Sequence, residues 1–85
     1  MMNNKVLVEV SVPAATAKFD VFIPIDCVMG DVLKLLSSTL SELTAGKYKA
    51  ISDAVICELT TGKILDVNMV VADLNIKNGT QLMLI

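Results

Sequence analysis

The chain has 85 residues, 54% of them hydrophobic, a formal net charge of −2, and neither arginine nor histidine. A chain of this length is expected to form one domain, residues 1–85, and must bury nearly all of its good apolar residues to be stable. The balance of charge excludes a nucleic-acid binder, which grips its ligand through Lys and Arg patches, and the lack of arginine removes the bidentate fork used for phosphates and carboxylates.

Met1 to Asn4 reads as a loose terminus without the charged-then-apolar pattern of a signal peptide. Lys5 to Val12 then alternates, with Val6, Val8, Val10 and Val12 on one face and Lys5, Leu7, Glu9 and Ser11 on the other, which predicts a β-strand. Pro13 to Lys18 is small and turn-like. Phe19 to Ile23 alternates again, with Phe19, Val21 and Ile23 inward, so the two runs form a hairpin. Pro24 ends the second strand because it has no N–H to donate. From Asp26, the best nearby capping residue, the apolar period becomes helical. Met29, Val32, Leu33, Leu36, Leu40 and Leu43 fall on one stripe, while Leu35 lies off it. Gly30 costs about 1 kcal/mol relative to alanine in a helix, and Gly46 supplies an end. Lys47 to Asp53 is a linker. Ala54 to Leu59 predicts a third strand, with Val55, Cys57 and Leu59 inward and Ile56 and Glu58 outward.

The last quarter, Gly62 to Ile85, begins with a glycine turn, Thr61-Gly62-Lys63, and a short apolar pair, Ile64-Leu65, expected as a fourth strand. A connection holding Val71, Leu74 and Ile76 follows. Asn78-Gly79 is a strong turn signal, and in the final strand Leu82 and Leu84 share a face. The spacing of Gly62-Lys63, Leu65, Asp66, Val71, Asp73, Asn75-Ile76, Leu82 and Leu84 resembles the C-terminal half of ubiquitin. The ending from Ile76 through Asn78-Gly79 to Leu82, Leu84 and Ile85 is most similar to the small YukD-type ubiquitin-like proteins of type VII secretion loci. The resemblance implies an α+β fold, the ubiquitin-like β-grasp: a mixed four- to five-stranded sheet with one helix packed across one face. It also implies that the first and last strands lie side by side and parallel at the sheet centre.

Chemistry is not expected. Without histidine the usual general base is missing, so no catalytic residue is assigned and the chain is expected not to be an enzyme. Asp26 and Asp31 read as caps and dipole partners at a helix start. Asp66 and Asp73 read as turn-fixing residues, and Lys63 as a solvated turn residue. Cys27 and Cys57 without histidine make no zinc site, and a pair of reduced thiols is expected. The scattered glycines form no phosphate loop. No cofactor or metal is expected.

The resemblance implies a cytoplasmic accessory protein of a type VII secretion system, binding non-covalently to cytosolic parts of a secretion ATPase or membrane subunit. No apolar run reaches the roughly 18–20 residues of a membrane helix, so no direct membrane insertion is expected. Ubiquitin and the sulfur carriers of its fold act through a flexible diglycine tail. The sequence stops at Ile85 without one, so a covalent role is not expected. The alternatives are a degenerate ubiquitin-like or sulfur-carrier protein and a β-grasp binding module of an unrelated pathway. The candidate protein-binding residues are Leu7, Phe22, Ile56, Met83 and Ile85, apolar at outward positions where alternation calls for polar ones. They are expected to form one stripe on the open face of the sheet, opposite the helix, a stripe that also suits a homodimer.

Overall fold

The computed structural model describes residues 4–47 and 54–85. Strands β1 (Lys5–Val12) and β2 (Ala17–Pro24) precede helix α1 (Met29–Leu43), which is followed by β3 (Ile56–Glu58) and β4 (Gln81–Leu84). The four strands lie in the order β2-β1-β4-β3. β1 is antiparallel to β2 and parallel to β4, and β3 is antiparallel to β4. The two central strands come from opposite ends of the sequence, as the resemblance implies. The expected loose residues 1–3 and linker residues 48–53 lie outside the described residues. Asn4 is tied: its carbonyl accepts from the Ile25 N–H at 2.9 Å and its Nδ2 donates to Asp26 at 3.1 Å.

The alternation of β1 holds. Val8, Val10 and Val12 are fully buried, and Ile23 joins them from β2 while Val6, Phe19 and Val21 pack at the margin of the core. Leu82 and Leu84 of β4 are fully buried on the same face. Across them lies the helix, which buries Met29, Val32, Leu33, Leu36 and Leu40. Leu35 is exposed, as its place off the stripe predicts. Leu43, expected on the stripe, is 58% exposed. It sits in the last turn, where it borders an open concavity with Ala15 and with Ala17 and Phe19 at the start of the edge strand β2. The helix then stops in a left-handed turn. Ala45 and Gly46, both at positive φ, return their N–H groups to the carbonyls of Glu42 and Ser41.

Five expectations are corrected. The helix begins at Met29 rather than Asp26, and Asp26 does not cap it; the N-cap is Val28, without a side-chain bond. Backbone carbonyls of a distant loop take that role. The Met29 N–H donates to Met69 O and the Gly30 N–H to Val67 O, both at 2.8 Å, which satisfies donors that a helix start leaves open. A Cβ on Gly30 would stand 3.0 Å from Val67 O, so the close approach of this loop is what requires glycine. The loop continues alongside the entry to the helix, with Val71 N–H bonded to Cys27 O and Ala72 N–H to Ile25 O, both at 2.9 Å.

The expected fourth strand at Ile64-Leu65 is a single bridge between Ile64 and Cys57, so among the described residues the sheet has four strands. The third strand spans Ile56–Glu58 rather than 54–59, and its faces are reversed. Ile56 lies opposite Leu84 and is fully buried, whereas Leu59, expected inward, is 39% exposed. Directly paired residues share a face, so β4, with Leu84 committed to the core, sets the parity of β3. Both parities of the 54–59 run carry apolar residues, and a one-residue slip exchanges them.

Leu36→Ala removes a buried side chain facing the central strands, and a loss of about 2–5 kcal/mol is expected in urea denaturation. Gly30→Ala should also destabilise, by about 1–2 kcal/mol, because the methyl group crowds the Val67 carbonyl. Helix propensity alone predicts a gain of about 1 kcal/mol, so the sign of the change in the same experiment separates the two effects.

Candidate protein-binding surface

One face of the sheet is covered by α1; among the described residues no element covers the other. Leu7, Glu9 and Ser11 of β1 point away from the buried valines onto this open face. Their direct partners share it: Phe22, Asp20 and Lys18 on β2, then Gln81 beside Glu9 and Met83 beside Ser11 on β4. Cys57 lies opposite Met83, and Ile64 bridges to Cys57. Leu7 is 36% exposed, Phe22 64% and Ile64 65%.

Of the five residues expected here, Ile56 is removed. It is fully buried on the helix side, because its partner Leu84 faces the core. Leu7 and Phe22 are direct neighbours, as expected. Met83 is half-buried and is not beside Leu7: the parallel register aligns Met83 with Ser11. Four residues of strand separate the two positions, about 13 Å. Ile85 is exposed, and its backbone is held to Val55 by two hydrogen bonds of 2.8 and 2.9 Å. The single stripe is therefore two apolar groups, Leu7–Phe22 and Met83–Cys57–Ile64, with Asp20, Glu9 and Gln81 forming a polar band between them. Sequence reasoning missed Ile64, and Leu59 beside Gln81, because their place depends on the reversed parity of β3 and on a loop contact that alternation does not report.

The turn before β4 fixes the Leu7 end. Thr80 N–H returns to Lys77 O at 3.0 Å, and Gly79 adopts φ +88 in the turn, the left-handed position that favours glycine. Asn78 Oδ1 accepts from Leu7 N–H, and Gly79 N–H donates to Leu7 O, both at 2.8 Å. The asparagine side chain thus extends the ladder one step past the end of β4 and holds the β1 backbone beside the turn.

The polar band is electrostatically unbalanced. Glu9 and Asp20 lie directly opposite each other, and like charges in that position repel. Lys18 Nζ is 3.9 Å from Glu9 Oε1, too long for a hydrogen bond, and its side chain is 68% exposed, so this ion pair is weak. Glu9 Oε1 is shielded from solvent and has no hydrogen-bond partner among the described residues.

The remaining polar groups serve local structure. Asp66 accepts from Asn68 N–H at 2.9 Å, which holds the turn it was expected to hold. Asp31 stands in the first turn of α1, where a negative charge is favourable. Cys27 and Cys57 are free thiols, the first half-buried and the second buried with Sγ 3.7 Å from Met83 O. Among the described residues no group of three or more His, Cys, Asp or Glu is placed to hold a metal ion, and no helix is long and apolar enough to cross a membrane.

No protein-family model matches the sequence, and no curated protein matches it. Solved structures do. The N-terminal ubiquitin-like domain of the 4931431F19Rik protein is 18% identical, with a TM-score of 0.72 over 99% of this chain and 76% of that one. A chain from a structure described as molecular mimicry of SUMO promoting DNA repair is 14% identical, with a TM-score of 0.77 over 100% of this chain and 95% of that one. A chain of an ESX-5 inner membrane complex is 18% identical, with a TM-score of 0.69 over 98% of this chain but 21% of that one. At these identities the likeness is one of fold, and the fold is the ubiquitin-like β-grasp.

The two thiols differ in access. Iodoacetamide added to the folded protein should modify Cys27 well before Cys57, and both should react in denaturant without prior reduction. Equal native rates, or a pair protected in denaturant, would contradict the burial and the free state of the thiols.

Proposed function

We propose that this chain is a non-catalytic, ubiquitin-like protein-interaction module that binds its partner non-covalently through the open face of its sheet. Its proposed setting is the cytoplasmic side of a type VII secretion system, as an accessory component engaging cytosolic parts of the ATPase or a membrane subunit. The observation that carries the docking role is the open face itself. Leu7, Phe22 and Ile64 keep about a third to two thirds of their surface in water, on the side of the sheet that no helix among the described residues covers. Exposed apolar side chains gathered on one face mark interaction sites, and the half-buried Met83 adds a flexible contact.

The secretion setting is supported by the resemblance of the 62–85 segment to YukD-type proteins. The fold likeness to part of a chain in the ESX-5 inner membrane complex supports it too, since there a ubiquitin-like fold belongs to a membrane machine.

Leu7→Glu combined with Met83→Glu tests the docking face at both apolar groups. Neither side chain belongs to the core cluster, so circular dichroism and melting temperature should stay close to those of the parent. Affinity capture from the native cell should lose the secretion subunits that the parent retains. Retention of the same subunits by the double variant would remove the open face as the site. Capture by the parent of no secretion subunit would remove the secretion setting.

A further inference from the structure

The proposed docking face has an internal pattern that specifies what fits it, and the argument here rests on that docking role. Its two apolar groups stand about 13 Å apart along the strands, with the Glu9–Asp20 pair between them and nearer the Leu7–Phe22 side. These two carboxylates oppose each other directly, and among the described residues the ion pair to either is the 3.9 Å contact from Lys18 to Glu9. Glu9 Oε1 is out of solvent yet lacks a hydrogen-bond donor among the described residues. A shielded carboxylate oxygen beside a second carboxylate is a place where an incoming cation gains on both counts. It offsets the repulsion and pairs with the part of the Glu9 side chain that reaches solvent, 31% of it, beside the exposed Asp20.

The backbone of this face is already committed. The N–H and C=O groups of β1 and β4 bond to their neighbouring strands, so an extended segment finds no ladder to join there. A helix satisfies its own backbone and presents side chains only, as α1 does on the opposite face. The groups are offset by about 13 Å along the strands and by about 12 Å across them, roughly 18 Å in all. At a rise of 1.5 Å per residue about eleven residues of helix cover most of that distance, and at 3.6 residues per turn positions eleven apart return to the same face.

From this we infer that the open face is shaped for a basic amphipathic helix of a partner protein. Its two apolar anchors lie about eleven residues apart on one side of the helix, one on Leu7–Phe22 and the other on Met83–Ile64, with a lysine or arginine between them on the same side directed at Glu9 and Asp20. The selectivity is electrostatic and local, so it weakens as salt rises.

The test uses two synthetic alanine-based helices of about 18 residues, long enough to be helical in water. Each carries two leucine anchors at the stated spacing. One has lysine between them and the other glutamine. The full chain, labelled with ¹⁵N, is titrated with each. The lysine peptide should bind about five- to tenfold more tightly and shift the amides of Leu7, Glu9 and Met83, and its advantage should vanish at about 0.5 M salt. Glu9→Gln with Asp20→Asn, and separately Asp20→Asn at its exposed edge position, should erase or reduce the preference while leaving the folded spectrum intact. Equal binding of the two peptides overturns the inference but leaves the docking face standing. Binding of neither also overturns it, and the docking face is then decided by the capture experiment with the Leu7 and Met83 variant.

Discussion

Glu9, Val10 and Ser11 lie beside Gln81, Leu82 and Met83 in parallel register, and most of the molecule follows from that contact. Parallel neighbours cannot be joined by a tight turn. The chain between them must therefore leave the sheet, cross it and return, and α1 occupies that crossover. Once Val10 and Leu82 share the buried face, the strand period of two decides the face of every other residue of the sheet. Leu84 then commits Ile56 to the core, and Ser11 and Met83 commit Cys57 to the open side. The interior valines and leucines and the exposed Leu7 and Phe22 are consequences of one register.

The second constraint is the embrace between the entry to α1 and the 67–72 loop. Four backbone hydrogen bonds, two of them to the first turn of the helix, fasten these segments together. No side-chain cap is present, and none is needed, because peptide carbonyls meet the open N–H groups. Gly30 is the residue that permits the approach. In sequence it looks like a weakness in a helix; in the structure it is the site of contact between the two halves of the chain.

The open face is best understood against the closed one. Both are built from the same four strands, but only one has a helix over it. The closed face is mostly apolar, fully buried at its centre and half-buried at its margin, at Val6, Phe19 and Val21. The open face alternates along the strand direction: apolar at Leu7 and Phe22, acidic at Glu9 and Asp20, and apolar again at Met83, Cys57 and Ile64. Carboxylates keep the exposed apolar groups of this face from merging into one patch. In the proposed docking role, the arrangement of charge, rather than apolar area alone, would distinguish one partner from another.

The sequence by itself determined the elements with strong periodicity. Alternating valines specified β1, the spacing from Met29 to Leu40 specified the helix and its buried stripe, and Asn78-Gly79 specified the turn that feeds the last strand. The same alternation placed Leu7 and Phe22 on the open face, because long strands with a polar residue at most outward positions leave one parity consistent with burial. Tertiary structure decided what local pattern leaves undetermined. The 54–59 run is short and apolar at both parities, so Ile56 turned inward only through its pairing with Leu84. Met83 was legible as outward but not as distant from Leu7, since the offset between parallel strands is a property of two segments and not of either one. The helix start moved from Asp26 to Met29 because carbonyls from residues 67 and 69 took over the capping. Periodicity records which way a side chain points relative to its own neighbours; register and long-range backbone contacts record what it meets, and those arise only when the chain closes on itself.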